Sequence, residues 1–350
     1  MTERRYDPTT GEWVTFATHR QNRTYKPADD FCPLCPTRPG ADPTEIPYPS
    51  FEVVTFDNLF PSFSPAPPEP SVPSTVLFPV EPAVGRCEVV VYSEDHQATF
   101  SDLDAGRVRM LVDVWADRWE ILAAEEAISY VMPFENRGGT VGTTLSHPHG
   151  QIYGYPEIPT RPHQELAAAA AHHRSTGRCV YCDVVAAEIA AGERVVARAG
   201  GWVAWVPFSA RFPYEVRLAP TSHHSCLPDL DDTARDGLAE LLATVVAAYD
   251  ALWSYPLPYV MAFHSRPTDG AGEWEPISHL HVELEPPNRS ADKLKYLAGS
   301  ELAGGAFVTD VAPEAAAAQL RRALRRAASE RKVRAARAPD TWSPARRRLR

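Results

Sequence analysis

The sequence has no apolar run approaching the ~20 residues that a membrane-spanning helix needs. Its N-terminal stretch, with Arg4, Arg5 and Asp7, offers no hydrophobic leader. A membrane protein is therefore not expected, and a cytoplasmic one is. Cationic excess is missing as well. The net charge is −10, so nucleic acid, whose binding depends on clustered phosphate-neutralising cations, is not an expected partner. A small anionic ligand stays open wherever local arginines face it. Cysteine is scarce, six in 350 residues, and four of the six form two Cys-x-x-Cys pairs, Cys32/Cys35 and Cys179/Cys182. In a chain without an export signal such pairs point to metal rather than to disulfides. The hydrophobic content of 44% is that of a globular chain able to bury a sizeable core.

What is present occurs twice. The first series runs Cys32-x-x-Cys35, His96, Ser101-Asp102-Leu103-Asp104, an amphipathic stretch, Tyr130-Val131-Met132-Pro133-Phe134 and His147-Pro148-His149. The second runs Cys179-x-x-Cys182, His223, Pro228-Asp229-Leu230-Asp231, an amphipathic stretch, Tyr259-Val260-Met261-Ala262-Phe263 and His279-Leu280-His281. This is an internal repeat of about 140 residues, and it divides the chain into halves 1–160 and 161–350. In each half the Asp-Leu-Asp segment opens a helix, with Ser101 as N-cap and acidic residues in the first turn. Val108, Leu111, Val112, Trp115, Trp119 and Leu122 then recur at helical spacing as a core-facing stripe. Segments 53–56, 89–92, 128–134 and 259–263 are short and rich in β-branched or aromatic residues, as strands are. The order of elements gives an α+β class, with antiparallel sheet and one long helix per half.

The Pro-rich stretch 61–73 cannot supply ladder N–H groups and reads as a stiff, exposed loop. Residues 163–178 form a helix connecting the halves, with His172 and His173 facing solvent. Beyond Pro313 an Ala/Arg helix leads to the basic tail 346–350, a solvated end with no assigned function.

The chemistry concentrates at His147-Pro148-His149-Gly150-Gln151. Two histidines two apart in a strand point the same way, so one can bind metal while the other attacks. The Gly-rich approach 134–144 offers backbone N–H groups to an anionic phosphate. Cys32, Cys35, His96 and His147 make a Cys2His2 set suited to tetrahedral zinc in a closed, structural site. The repeat supplies a second set, Cys179, Cys182, His223 and His279. His223 is preferred to His224 because it precedes Asp229 by six residues, as His96 precedes Asp102. A rival second set, Glu165, His264, His279 and His281, could hold zinc or iron.

These residues resemble the galactose-1-phosphate uridylyltransferase family, a branch of the histidine-triad superfamily built from two such repeats. The resemblance runs from Arg20 to about Phe307, and its most specific part is Phe134-Glu135-Asn136 followed by His147-Pro148-His149-Gly150-Gln151. It implies two tandem histidine-triad-like repeats and a homodimer. His149 would be the nucleophile that takes the nucleoside monophosphate from UDP-glucose, Gln151 would steady the phosphoryl group, and galactose 1-phosphate would then attack the uridylyl-histidine. The resemblance also implies phosphate contacts from Arg20 and Arg23 and a nucleotide contact from Asn58. It makes Asn136, Gly142 and Thr144 a phosphate loop, and it gives Lys295, Tyr296, Ala298 and Glu301 to a segment reaching the partner subunit's site.

Some positions depart from the family. Thr144 stands where serine is more usual, Leu59 where many relatives carry an acid near the ribose, and Phe307 near a hexose-contacting Gln. The second Cys-x-x-Cys and Gly299-Ser300-Glu301-Leu302 resemble the branch that includes ADP-glucose phosphorylase, in which inorganic phosphate receives an adenylyl group from the same histidine. A zinc-stabilised nucleotide-binding protein without turnover is the third reading. An intact His149 and Gln151 argue against it.

Overall fold

The computed structural model describes residues 1–22, 31–253 and 255–337. In chain order its strands are β1 (Thr2–Asp7), β2 (Glu12–Ala17), β3 (Val54–Asp57), β4 (Val80–Pro82), β5 (Arg86–Val91), β6 (Tyr130–Arg137), β7 (His149–Tyr155), β8 (Val195–Ala199), β9 (Trp202–Trp205), β10 (Val216–Pro220), β11 (Tyr259–His264) and β12 (His281–Glu285). The main helices are α1 (Ala105–Ala123), α2 (Thr160–Thr176), α3 (Val180–Ala191), α4 (Asp232–Trp253) and α5 (Pro313–Arg337).

Nine strands form one antiparallel sheet in the order β3-β5-β7-β6-β11-β12-β10-β9-β8. The two repeats meet edge to edge where β6 pairs with β11, with Tyr259 opposite Arg137 and Met261 opposite Glu135. Two repeat sheets that would each leave an open edge thus close that edge against each other. A small sheet, β2-β1-β4, lies beside the first repeat.

The expected helical stripe is the core: Val108, Leu111, Val112, Trp115, Trp119 and Leu122 are all buried. Helix α1 packs against α4, and Arg109 bridges to Asp232 and Asp236 at 2.8 and 2.7 Å while Arg235 reaches Asp113 at 2.9 Å. Helix α5 adds Ala316, Ala317, Leu320 and Ala323 to the same core.

The expected helix start needs correction. Ser101 sits in a separate 3-10 turn, Phe100–Asp102, and its hydroxyl donates to Asp250 of α4. Helix α1 is capped by Asp104, whose carboxylate accepts from the Arg107 N–H, and its first turn holds no acid. Asp231 serves α4 likewise, accepting from the Ala234 N–H at 2.8 Å. In both repeats the second Asp of Asp-Leu-Asp is the cap, because only from there does a short side chain reach the free N–H of the first turn. The 61–73 loop is not wholly exposed either: Phe63 is buried against Tyr153 and Tyr155. Nor is His172 free in solvent, since its Nε2 lies 2.8 Å from Asp183. Residues 346–350 lie outside the described residues.

Candidate functional site

Strand β7 begins at His149 and sends His149, Gln151 and Tyr153 to one face, as its alternation requires. That face borders a cavity of about 190 Å³ to which Arg20, Asn58, Asn136, Gly142, Thr144, His149 and Gln151 all contribute. Arg20 is held there by Nη1 bonds to the Phe60 carbonyl and the Ser62 hydroxyl, both 2.9 Å. Asn58 donates to Gln151 Oε1 at 3.4 Å and accepts from the Phe60 N–H at 2.9 Å. A second cleft of about 690 Å³, lined by Gly138, Gly139 and Thr143 to His149, meets the first at His149.

His149 Nδ1 lies 2.8 Å from the His147 carbonyl. A carbonyl only accepts, so Nδ1 carries the proton and Nε2 keeps its lone pair. Burial lowers the His149 pKa from its ordinary value. A neutral imidazole with a free Nε2 beside a cavity containing an arginine is what nucleophilic attack on a phosphate requires.

Beside this strand lies the first group of side chains that could hold a metal. Cys32, Cys35, His96 and His147 bring their ligand atoms within 4.8 Å of one another. His147 Nδ1 is 3.8 and 3.6 Å from the two sulfurs, while its Nε2 donates to the Ser93 carbonyl at 2.7 Å. That bond leaves Nδ1 aimed at the group, the usual support of a histidine ligand. Burial and the neighbouring Cys35 push Cys32 up to about 11. A divalent ion would reverse this by stabilising thiolate, so the donors fit zinc.

Cys179, Cys182, His223 and His279 repeat the arrangement. His279 Nδ1 is 3.7 and 3.5 Å from the sulfurs and its Nε2 donates to the Pro220 carbonyl at 3.1 Å. The rival set does not compete for this place. Glu165, His264 and His281 form a group of their own, without His279, with His264 Nδ1 3.0 Å from Glu165 Oε2.

Lys295, Tyr296 and Glu301 do not line the cavity. Lys295 bonds Glu301 at 3.0 Å and the Val308 carbonyl, closing a loop from which Tyr296 projects. Phe307 packs near Phe212 and under Arg211, whereas Leu59 does border the cavity. Arg23 lies outside the described residues. Sequence reasoning missed Glu45, Phe60 and Tyr153, which also line the cavity. Strand alternation from His149 could have found Tyr153. Nothing local marks Glu45, brought in by the loop after Cys35.

Residues 1–159 match the family described as galactose-1-phosphate uridyl transferase, N-terminal domain, and residues 165–333 match its C-terminal domain. The galactose-1-phosphate uridylyltransferase of Thermotoga maritima is 37% identical over 324 residues, 92% of this chain and 98% of that protein. The chain belongs to the galactose-1-phosphate uridylyltransferase family. A solved uridylyltransferase structure, 34% identical, superposes with a TM-score of 0.82 over 93% of this chain and 99% of its own. An ADP-glucose phosphorylase from Arabidopsis thaliana shares the fold, with a TM-score of 0.69 at 24% identity over 92% of this chain and 99% of its own. Membership in the galactose-1-phosphate uridylyltransferase family makes the chain a nucleotidyltransferase with nucleotide-sugar chemistry. Among the described residues no helix is long and apolar enough to cross a membrane.

Proposed function

We propose that this protein moves a uridylyl group from UDP-glucose to galactose 1-phosphate through His149. The observation that carries the reading is the His149 ring itself, with Nδ1–H tied to the His147 carbonyl and Nε2 free beside a cavity that holds Arg20, Asn58 and Gln151. In the first step Nε2 attacks the α-phosphorus. An N–P bond forms, the P–O bond to glucose 1-phosphate breaks, and the electron pair leaves on the phosphate oxygen. In the second, a phosphate oxygen of galactose 1-phosphate attacks the same phosphorus, the N–P bond breaks, and UDP-galactose leaves a neutral imidazole behind. A phosphate leaving group needs little acid help, so no carboxylate dyad is required.

Arg20, the Gln151 amide and backbone N–H groups of 138–142 stabilise charge on the non-bridging oxygens, the dominant contribution in phosphoryl transfer. Asn58 contacts the nucleotide, and Asn136, Gly142 and Thr144 form the loop around the phosphate. Arg23 is assigned to the phosphates with Arg20. Lys295, Tyr296 and Glu301 serve a partner subunit's site in a homodimer, and the protein acts in the cytoplasm.

Zinc is assigned to both cysteine-containing sets. Bound there it supplies structure, locking His147 and so the strand that carries His149. Glu165, His264 and His281 are donors suited to zinc or iron.

Intact-protein mass spectrometry after mixing with UDP-glucose or, separately, ADP-glucose tests the reading. A uridylyl mass gain, absent in His149→Ala, is the expected result. An adenylyl gain alone would move the assignment to an ADP-glucose phosphorylase, and tight binding without either adduct would move it to a nucleotide-binding protein.

A further inference from the structure

Directly behind the His149 strand lies a buried polar cluster that the transfer steps do not use. Glu135, on β6, is 5% exposed and sits between two wholly buried tyrosines. Tyr92 donates to its Oε2 at 3.4 Å and Tyr259 to its Oε1 at 3.2 Å. Tyr92 follows β5 in the first half, whereas Tyr259 opens β11 in the second. The carboxylate therefore joins the halves at their seam. Arg137, whose guanidinium lies 5.4 Å over the Tyr259 ring, completes the cluster by pairing with Asp250 at 2.9 Å.

Both ends of this cluster press on the site. The Tyr92 hydroxyl rests so closely on Gly150, the residue after His149, that a Cβ there would clash with it. The Tyr92 N–H also donates to the Pro148 carbonyl at 3.1 Å, so Tyr92 grips both neighbours of His149. At the other end, Pro258 abuts the phosphate loop. A Cβ on Gly138, which has a φ of +93°, would lie 2.9 Å from Pro258 Cβ. The phosphate loop thus rests on Pro258, and the nucleophile strand is linked to Tyr259, the next residue of the second half, through Tyr92 and Glu135.

We propose that Glu135 and Tyr259 are positioning residues for His149, fixing through Tyr92 and Gly150 the place of the nucleophile relative to the phosphate loop. The inference rests on the reading of His149 as nucleophile. Its physical basis is that a nucleophile held by packed, hydrogen-bonded supports loses about 10²-fold when displaced by ~1 Å. The second half is then a working part of the first half's site. The position matching Glu135 is His264, which pairs with Glu165, so among the described residues this carboxylate link is not repeated on the other side.

The test is single-turnover formation of the His149 adduct with UDP-glucose in full-length Tyr92→Phe, Tyr259→Phe, Glu135→Gln and Tyr92→Phe/Tyr259→Phe, together with histidine-ring NMR of each. Each variant is expected to form adduct about tenfold more slowly, with UDP-glucose affinity within about twofold of wild type. The double variant is expected to be little slower than the worse single one, because residues in one chain of contacts act together. The His149 ring resonances are expected to shift in all four. Unchanged adduct rates with a lowered melting temperature would reduce the cluster to packing, and multiplicative losses would break the chain through Tyr92. If wild-type protein forms no adduct, the nucleophile reading falls, while unshifted His149 resonances in the variants would separately overturn the positioning role.

Discussion

His149 and His281 occupy matching places in the two repeats and have opposite surroundings. Each opens its strand, and each has Nδ1 2.8 Å from the carbonyl of the metal-set histidine two residues earlier. His149 faces the 190 Å³ cavity. His281 is 3% exposed, with the Tyr181 ring stacked at 4.2 Å and Glu165 3.8 Å away, on a remnant of about 30 Å³. The residue two further on is Gln151 in one half and Glu283 in the other. Arg161 and Arg217 do reach the second place, but both are engaged by Glu283, whose carboxylate would repel a phosphate. The duplicated scaffold of two cysteines and two histidines therefore supports both an open and a filled site. What separates them is open space and the charge at one position.

Making the first half like the second should have the largest effect. Gln151→Glu places a carboxylate beside the transferring phosphoryl group, and kcat is expected to fall about 10²–10³-fold, read by steady-state kinetics. A loss under threefold would show that charge at this position does not distinguish the halves.

The seam between the halves provides a pH test. Burial pushes Glu135 up to about 7, against lowering contributions from Arg137, Tyr259 and Tyr92 and a raising one from Asp250. Its pKa in the folded protein lies above the unfolded value, so its stabilising contribution is complete below pH ~4.5 and is lost as the pH rises through 7. Relative to Glu135→Gln, wild-type unfolding free energy is expected to drop by about 3 kcal/mol across that window, measured in urea. Parallel curves for the two proteins would remove the burial effect.

The metal sets should differ in consequence though alike in form. Cys35→Ser is expected to lose bound zinc and to lower kcat about 10–100-fold, the usual range for disturbed metal support. Cys182→Ser should lose an equivalent of metal with a distinctly smaller rate loss, since its strand leads to His281. Metal analysis alongside kcat decides this, and equal rate losses would contradict it.

The smallest effect concerns Gly150. Its counterpart Val282 carries a side chain in the buried core, whereas a Cβ at 150 meets the Tyr92 hydroxyl. Gly150→Ala is expected to cost about 1–3 kcal/mol as overpacking, seen as a lowered melting temperature. A neutral substitution would show that Tyr92 yields freely.

Much of this was legible in the residues. Helical spacing gave the α1 core stripe, and Cys-x-x-Cys with paired histidines gave the two Cys/His groups that could hold a metal. These signals are local, or recur in the same order. The cap of α1 was misplaced by three residues because Ser101 and Asp104 both have capping side chains, and only backbone geometry selects between them. Glu45, Phe60 and Tyr181 reach their places by long-range chain folding that leaves no local pattern. The single sheet joined through β6 and β11 was likewise invisible, since edge pairing between repeats depends on matching surfaces rather than on any motif. The Glu165 and Cys179 sets looked like rivals because both included His279, and geometry gave that ring to the sulfurs.

The central claim is that only one of two matching histidines is reactive. The most direct measurement is peptide mapping of wild-type protein, quenched at alkaline pH after seconds with UDP-glucose, to find which histidine carries the nucleotide. The expected result is uridylyl on the peptide containing His149 and none on that containing His281. Label on His281, or equal label on both, would contradict the account.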